Sequence, residues 1–256
     1  MAANPLNSEQ CSEALRQAMS NAAKVVVFTG AGISTESGIP DFRGPSGIWK
    51  TQTPIDFSDF LASEDWRRES WRRRFSGDDK LNGAEPNAGH AAIAHWVAEG
   101  KVSSVITQNV DGLHQKSGVP DHQVIELHGN AQYAKCLSCD LRVELSDVRA
   151  QFLPHETVPD CANCGGIIKT ATISFGQSMP EQPMHAAHEA TTQCDLFLAI
   201  GSSLTVYPAA GFPSLAKQCG AQLIIINNQP TDLDPIADLT IPFGIGEVLS
   251  SAARDA

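Results

Sequence analysis

Two pairs of cysteines have the spacing of metal ligands: Cys136 and Cys139 form one C-x-x-C pair, and Cys161 and Cys164 form another after residues 140–160. Four thiolates close a tetrahedral site with no open position, so the pattern predicts one structural Zn²⁺ ion. A thioredoxin-like redox pair is the alternative, but two matched pairs argue against it. The other cysteines are expected to be buried small hydrophobes rather than nucleophiles: Cys11, Cys194 and Cys219.

A glycine-rich segment, Gly30-Ala31-Gly32, follows an apolar run and allows the backbone to approach a phosphate closely. The next glycine is Gly38, so the strict G-x-G-x-x-G pattern is not met, and a plain turn that needs positive φ is the alternative. Polar residues also follow two later apolar runs. Asn227 follows one of them and can hold a ribose hydroxyl, and Gly201-Ser202-Ser203 follows the other and precedes a predicted helix. Ligands of open parallel sheets bind beyond the carboxyl ends of the strands, so these three ends predict a dinucleotide crevice.

The elements that position these residues alternate between strand and helix. Four almost continuously apolar runs are typical of parallel strands buried on both faces: residues 24–28, 102–106, 195–200 and 222–226. Apolar residues at helical spacing predict helices over 8–22 and 88–99, and a third helix is predicted over 208–219 with Pro208 in its first turn. The predicted fold class is therefore α/β, a doubly wound parallel sheet with helices on both faces.

Two stretches interrupt this alternation. Residues 43–79 contain a helical segment crowded with arginine and tryptophan, and residues 135–165 contain the four paired cysteines. We interpret both as one smaller inserted domain with a helical module and a zinc module. The sheet domain is then predicted to comprise residues 1–42, 80–134 and 166–256.

Charge and hydropathy exclude several classes of function. The chain has 18 Lys plus Arg and 29 Asp plus Glu, and its net charge of −11 disfavours binding to nucleic acid or to an anionic membrane surface. Its apolar runs are far shorter than the roughly 20 residues that a membrane helix needs. The opening residues lack the pattern of a secretory signal, so a reducing, cytoplasmic location is expected.

Three segments resemble the defining motifs of the sirtuins, which are NAD-dependent protein deacylases: GAGISTESGIPDFRG at 30–44, TQNVDGLH at 107–114 and HG at 128–129. The cysteine pairs and the later strand ends follow in the family's order, so the resemblance extends over about residues 20–250. It implies a Rossmann-like NAD-binding domain beside a small zinc-binding and helical domain, with an acyl-lysine peptide in the cleft between them.

The implied reaction is deacylation of protein lysine, in which the acyl group passes to ADP-ribose and nicotinamide and O-acyl-ADP-ribose are released. The implied partners are acyl-lysine proteins or peptides, and the chain is expected to be a monomer that binds neither nucleic acid nor membrane. Two alternatives remain: a sirtuin-type protein mono-ADP-ribosyltransferase, and a noncatalytic NAD-binding interaction module. An intact His128 favours deacylation, because ADP-ribose transfer alone does not need the later base step.

The family position of His128 implies the general base, and an imidazole titrates near neutral pH, as such a base must. Asn109 is the second catalytic candidate, in the implied nicotinamide and ribose pocket. Phe42 is implied to shield the reacting ribose carbon from water, and Arg43 to approach phosphate. The implied NAD contacts are Gly30, Ala31, Gly32, Ser34, Thr35, Asp41, Phe42, Arg43, Trp49, Gln108, Asn109, Val110, Asp111, Gly201, Ser202, Ser203, Asn227 and Ile245. Asp111 could instead cap a helix.

Peptide recognition in the family is strand addition, which takes most affinity from main-chain hydrogen bonds and predicts weak sequence selectivity. The acyl tunnel is implied to be apolar, with Phe42 as one of its walls. The implied substrate contacts are Val110, Ile173, Phe175, Gly176, Gln177, Val206 and Tyr207.

The sequence departs from the family pattern near this site. Lys169-Thr170 replaces the usual arginine-proline, Ser174 replaces an aromatic residue and is expected to loosen the cleft wall, and Gln177 replaces a glutamate. The Tyr-x-x-Arg pair of the succinyl-reading and malonyl-reading branch is missing after the first motif, which disfavours that branch. Residues 57–75 look more like the branch of the mitochondrial lipoamidase-type sirtuins. The arginines at 67, 68, 72, 73 and 74 are expected to form a solvated helix face, and the alternative is that one of them meets an acidic acyl group.

Overall fold

The computed structural model describes residues 6–44, 47–76, 81 and 83–253 of the chain. Pro45, Ser46 and the expected domain limits at residues 1, 79, 80 and 256 lie outside the described residues. The helices are α1 (Ser8–Asn21), α2 (Phe57–Ala62), α3 (Glu64–Ser76), α4 (Ala88–Ala98), α5 (Leu113–Lys116), α6 (Leu145–Phe152), α7 (Glu181–Gln193), α8 (Phe212–Gln218) and α9 (Ile245–Ala253). The strands are β1 (Val25–Thr29), β2 (Val102–Thr107), β3 (Val124–Glu126), β4 (Gly129–Cys136), β5 (Arg142–Glu144), β6 (Ile168–Thr172), β7 (Leu196–Ile200), β8 (Gln222–Ile226) and β9 (Leu239–Ile241).

Six parallel strands form the larger sheet in the order β3-β2-β1-β7-β8-β9. At its centre Val27 pairs with Val105 on one side and with Leu198 on the other. Every residue of β1 and β7 is buried, because helices cover both faces of the sheet. The α/β fold class predicted from the sequence is confirmed.

The two faces of the sheet have separate cores. On one face Val27 packs with residues of α1, α4 and α9, such as Leu15, Trp96 and Leu249. On the other face the core contains Phe28 and residues of α7 and α8. The predicted helices over 8–22 and 88–99 are confirmed as α1 and α4, and both begin at an asparagine capping box.

A second sheet, of three antiparallel strands in the order β5-β4-β6, was not predicted from the sequence. Its core joins the cysteine region to the arginine-rich helix α3, since Trp71 and Phe75 of α3 pack with Phe152 of α6 and with Cys136. The boundary predicted between residues 134 and 135 falls inside β4. The division of the chain into domains stays a prediction.

Two details of the sequence analysis are wrong. The helix predicted over 208–219 begins only at Phe212, because a 3-10 turn (Ala209–Gly211) follows Pro208. Cys11 and Cys194 are buried as expected, but Cys219 is exposed, because it caps the carboxyl end of α8 on the solvent side. Among the described residues, no helix has the length and apolar character needed to cross a membrane.

Candidate functional site

A cavity of about 640 Å³ lies at the carboxyl ends of β1, β2, β7 and β8, where the sequence predicted a dinucleotide crevice. Most of the residues predicted to contact NAD or peptide line it: Gly30, Ala31, Gly32, Thr35, Asp41, Phe42, Arg43, Trp49, Gln108, Asn109, Val110, His128, Ile173, Phe175, Gly176, Gln177, Gly201, Ser202, Ser203, Val206, Tyr207, Asn227 and Ile245. Ser34 and Asp111 do not line this cavity and form a buried pair behind its wall. The assignment of individual contacts stays a prediction.

The glycines after β1 are required by close approach rather than by backbone conformation. A Cβ atom on Gly30 would lie 2.8 Å from the carbonyl oxygen of Gly201, and one on Gly32 would lie 2.8 Å from the same oxygen. Neither Gly30 nor Gly32 has positive φ, so the alternative of a turn that needs positive φ does not hold at these positions. The ends of β1 and β7 therefore meet beneath the cavity and leave a floor of backbone without side chains. Such a floor fits a phosphate of NAD.

Asn109 connects the loops that follow β1 and β2. Its Nδ2 atom donates to the Gly30 carbonyl at 3.1 Å and to the Ser34 hydroxyl at 3.2 Å. Ser34 in turn donates to Asp111 Oδ2 at 2.7 Å, and the other oxygen of Asp111 accepts the Leu113 N–H at the start of α5. Asp111 therefore accepts the first N–H of α5, whose N-cap is Gly112, and also fixes Asn109 through Ser34.

His128 lines the cavity with one ring nitrogen already engaged. The carbonyl oxygen of Gln108 lies 3.0 Å from His128 Nδ1, and a carbonyl can only accept, so Nδ1 carries the proton. Burial lowers the pKa of His128 below its ordinary value, against the smaller raising effect of the Gln108 carbonyl. The imidazole is therefore neutral at neutral pH, with Nε2 as the nitrogen that can take a proton.

A buried chain of hydrogen bonds runs from Asn109 away from the cavity. The backbone N–H of Asn109 donates to Thr107 Oγ1 at 3.0 Å, and the hydroxyls of Thr107 and Thr29 are 2.8 Å apart. Thr29 Oγ1 lies 2.9 Å from Nε2 of His114. This chain fixes the backbone of a catalytic candidate from the interior of the protein.

The chain ends at a pair of buried histidines, His90 and His114, whose ring centroids are 5.1 Å apart. Burial lowers the pKa of His114 to about 3, and repulsion from His90, once that ring is protonated, adds to the shift. Burial also lowers the pKa of His90 to about 4, against the opposing effect of Asp111. Both rings are neutral at neutral pH, so they act as hydrogen-bonding rather than charged groups.

An aromatic cluster joins the loop after Asp41 to the predicted substrate wall. The ring of Trp49 lies 5.0 Å from that of Phe42 and 5.2 Å from that of Phe175, measured between centroids. The guanidinium of Arg43 lies 4.1 Å above the Trp49 ring. The rings of Phe42, predicted to contact NAD, and Phe175, predicted to contact the substrate, thus belong to one aromatic wall of the cavity.

The four paired cysteines lie together outside the cavity. All four Sγ atoms are within 4.8 Å of one another, with Cys136 and Cys164 3.5 Å apart and Cys139 and Cys161 3.7 Å apart. A tetrahedral Zn²⁺ with bonds of about 2.3 Å requires sulfur atoms about 3.8 Å apart. The backbone N–H of Ser138 also points to Cys136 Sγ at 3.4 Å. The residues fit a structural zinc ion with no open position.

Comparison with known proteins identifies the family. The model of the Sir2 family matches residues 30–208, which include the glycine segment, His128 and all four paired cysteines. The chain belongs to the Sir2 family. Sirtuins are this family, so the resemblance stated from the motifs is confirmed.

Relatives and solved structures match almost the whole chain. A protein of Rhodopseudomonas palustris named "NAD-dependent protein deacetylase" is 54% identical over 93% of this chain and 94% of its own. "NAD-dependent protein deacylase 2" of Archaeoglobus fulgidus is 42% identical, with 90% of both chains covered. A solved structure described as "Sir2-p53 peptide-NAD+" is 34% identical with a TM-score of 0.84, covering 93% of this chain and 95% of that one.

Sequence reasoning missed part of the cavity wall of this Sir2 family member. Ser174, expected in the cleft wall, and Arg73, one of the arginines offered as an acyl contact, do line it. The residues not predicted there are Glu36, Gly44, Pro54, Ile55, Ser70, Thr172, Met179, Pro208, Asn228, Gln229, Phe243 and Gly244. Asn228 is adjacent to the predicted Asn227, and Gly44 belongs to the first motif. Phe243 and Gly244 follow β9, a strand that the apolar pattern did not indicate. Pro54, Ile55 and Ser70 come from a segment whose position beside the sheet depends on the tertiary fold.

The arginine-rich helix α3 is held by acidic neighbours on its surface. Arg68 pairs with Glu64 and Asp65, and Arg72 pairs with Glu69 and Glu156. Arg73 alone of these lines the cavity, but its Nε is 2.7 Å from Glu69 and its Nη1 donates to the Thr53 carbonyl at 2.8 Å. The prediction of one solvated face is wrong, because only Arg72 of the five arginines is exposed: Arg67 donates to the Phe60 and Leu61 carbonyls, and Arg74 donates to the Ala131 carbonyl.

Proposed function

We propose that this protein is an NAD-dependent protein-lysine deacylase that transfers the acyl group to ADP-ribose and releases nicotinamide and O-acyl-ADP-ribose. Its membership of the Sir2 family and the names of its relatives as deacetylases and deacylases support this function. The observation that carries the proposal is His128, a neutral imidazole in the cavity wall with Nε2 free to accept a proton. Neither ADP-ribose transfer nor a binding module requires such a base.

NAD held in this cavity would supply a ribose carbon whose bond to nicotinamide breaks as a bond to the acyl oxygen forms. The chain's own residues then have separate tasks. Gly30 and Gly32 admit the phosphates, and Asn109 presents an amide whose position Ser34 fixes. Phe42 excludes water from the reacting carbon. His128 takes a hydroxyl proton at Nε2 and holds its own proton at Nδ1 against Gln108.

The acyl-lysine peptide is proposed to lie between residues 175–177 and 206–207. Both segments line the cavity, and Phe175 and Tyr207 remain partly exposed, as a surface that receives an extended chain requires. Main-chain pairing there gives affinity with weak sequence selectivity. The apolar wall of Phe42, Trp49 and Phe175 favours acetyl and longer neutral acyl groups.

The proposal also includes a cytoplasmic location and a monomeric state. A cytoplasmic location is supported by the free thiols of Cys11, Cys194 and Cys219 and by the four zinc-ligand cysteines, because thiols persist in reducing compartments. The proposed assembly state is a monomer.

The test is to incubate wild-type protein and the His128→Ala variant with NAD and acetyl-, succinyl-, lipoyl- and long-chain acyl-lysine peptides, and to follow all products by mass spectrometry. His185→Ala is the matched control, because His185 is exposed on α7 and its imidazole is 73% accessible. O-acyl-ADP-ribose is expected from wild type and His185→Ala only. ADP-ribosylated protein without O-acyl-ADP-ribose would favour the transferase, and NAD binding without turnover on any peptide would favour the interaction module.

A further inference from the structure

Lys169 is a buried cation beside the candidate site. Only 4% of its surface is accessible, although lysine is seldom fully buried without a partner. Within the described part of the chain its ammonium group is bonded to backbone carbonyls rather than to a carboxylate: the Thr172 oxygen at 2.5 Å and the Thr170 oxygen at 3.4 Å. A buried ammonium on two neutral acceptors is costly to maintain, so its position demands a physical reason.

The peptide group between Thr172 and Ile173 connects this ammonium to His128. Its carbonyl accepts from Lys169 Nζ, and its N–H, which belongs to Ile173, donates to the backbone carbonyl of His128 at 2.8 Å. A cation on the carbonyl polarises the peptide group and strengthens the N–H as a donor. Lys169 therefore acts on the backbone of His128 through a single peptide plane.

The surrounding backbone transmits any movement of this peptide group. Gly129 pairs with Thr172 in the small sheet, and a Cβ atom on Gly129 would lie only 2.0 Å from the Ala171 carbonyl oxygen. Beyond Thr172 the chain continues into residues 173–177, which line the cavity. In the middle of that segment the Phe57 N–H donates to the Phe175 carbonyl at 2.9 Å. A shift of the Thr172 backbone would therefore move both the backbone of His128 and the cavity-lining residues 173–177.

The neighbours of Lys169 do not neutralise its charge. From α2 the apolar ring of Phe60 lies 5.9 Å from Nζ, and the acidic Asp59 of the same helix is exposed. On β4 the residue paired with Lys169 is Lys135, whose ammonium is bound to Asp140 at 3.0 Å.

Other charged groups of these elements are engaged elsewhere. Asp56, the N-cap of α2, is exposed, and on β5 Arg142 and Glu144 pair with each other at 2.8 Å. His128 is the titratable group on the cavity side, and burial keeps it neutral. Burial likewise lowers the pKa of Lys169 to about 8.

We propose that Lys169 is a positioning residue, which holds residues 172–175 in register with His128 by placing its ammonium on the Thr172 carbonyl, and so determines how tightly the acyl-lysine peptide binds. This inference deepens the proposed function and, for its effect on peptide binding, rests on it. The usual residue of the family at this position is an arginine, whose guanidinium stays charged at all accessible pH values. The ammonium of a buried lysine can lose its proton.

The first experiment measures hydrogen exchange and does not depend on activity. Amide protection factors are compared at pH 7 in wild type and in Lys169→Arg, Lys169→Met and Lys101→Met. Lys101 is a matched control, because its ammonium also donates to backbone carbonyls, those of Ser20 and Ala22, away from the cavity. The Ile173 amide is expected to lose about tenfold protection in Lys169→Met alone. Equal protection in all four proteins would overturn the proposal.

The second experiment measures peptide KM and NAD KM between pH 7 and pH 9.5. Wild-type peptide KM is expected to rise about tenfold as Lys169 loses its proton, with NAD KM unchanged. Lys169→Arg should keep the low peptide KM at all pH values, and Lys169→Met should show the high value throughout. A parallel pH profile in wild type and Lys169→Arg would contradict the proposal, because a merely structural lysine shifts stability and not this profile.

The two experiments distinguish a failure of the proposed function from a failure of the proposal for Lys169. If wild type turns over no acyl-lysine peptide, the proposed function is wrong, and exchange at Ile173 still decides the role of Lys169. If Lys169→Met does not fold, the role of Lys169 is decided by comparing the peptide KM of wild type and Lys169→Arg across pH, because that comparison does not need the methionine variant.

Discussion

The hydroxyl of Ser34 donates a 2.7 Å hydrogen bond to a carboxylate oxygen of Asp111, and both residues are buried. The bond joins the 3-10 turn after β1 to the loop after β2, and Ser34 also accepts from Asn109. Removing a buried partner of a carboxylate leaves that charge undersatisfied, which is costlier than losing an exposed hydrogen bond. The position of Asn109 therefore depends on a residue outside the cavity wall.

We expect Ser34→Ala to lower the free energy of unfolding by about 1–3 kcal/mol, since the buried oxygen of Asp111 loses its donor. Urea denaturation followed by circular dichroism measures this change. Ser146→Ala is the control, because Ser146 is exposed on α6, and it should stay within about 0.5 kcal/mol of wild type. A loss in Ser34→Ala no larger than in Ser146→Ala would show that the bond does not contribute.

Acid should destabilise the protein through its buried histidines. The folded-state pKa values of His90 and His114 are lowered to about 4 and about 3, whereas an unfolded histidine titrates near about 6.5. Between these values the unfolded chain binds more protons than the folded chain. The stability due to the pair is therefore fully present above about pH 6.5 and is lost as pH falls toward 4.

His114→Gln tests this contribution directly. Each histidine that stays neutral only in the folded state adds up to about 1.4 kcal/mol per pH unit to the slope of stability against pH. Between pH 5 and pH 6 the slope for His114→Gln should be smaller than that for wild type by about this amount. The other titrating groups are common to both proteins, so equal slopes, measured by urea denaturation, would contradict the pKa shift of His114.

Much of this architecture could be predicted from sequence because buried parallel strands are apolar along their buried length, as residues 223–226 are. The three-residue edge strands β3 and β9 are too short to show a pattern, and β4, with the sequence GNAQYAKC, lacks a clean alternation. The cysteine ligands were predictable because metal coordination fixes their spacing. The approach of Gly32 to Gly201 and the burial of Lys169 arise from contacts between distant segments, which local spacing does not encode.

Removing the metal should unfold the small sheet before the large one. Cys136 lies at the end of β4, and Cys161 packs with Trp71 and Phe152 in the same core, so the zinc site joins the strands to the helices around them. Cys161→Ser is expected to reduce bound zinc, measured by atomic absorption, from about one ion per chain to less than about 0.1. Exchange protection should fall across β4 and β6, and β1 and β7 should keep theirs.

The exposed Cys219 provides the control for this experiment. Cys219→Ser removes a thiol from the carboxyl end of α8, outside the four-cysteine cluster, and should leave both zinc content and exchange protection unchanged. If Cys161→Ser retains a full equivalent of zinc, or if Cys219→Ser loses it, the assignment of the metal ligands is wrong.

The preferred acyl group should be neutral. A succinyl carboxylate would have to enter a wall formed by Phe42, Trp49 and Phe175, where a charge is poorly solvated. The cation beside this wall, Arg43, is stacked on Trp49 and is predicted to approach a phosphate of NAD. Arg73, the arginine of α3 that lines the cavity, already donates to Glu69 and to the Thr53 carbonyl. We expect kcat/KM for an acetyl-lysine peptide to exceed that for the matched succinyl-lysine peptide by at least about tenfold, and Arg73→Gln to leave the ratio unchanged. A succinyl preference that Arg73→Gln abolishes would instead identify Arg73 as the reader of an acidic acyl group.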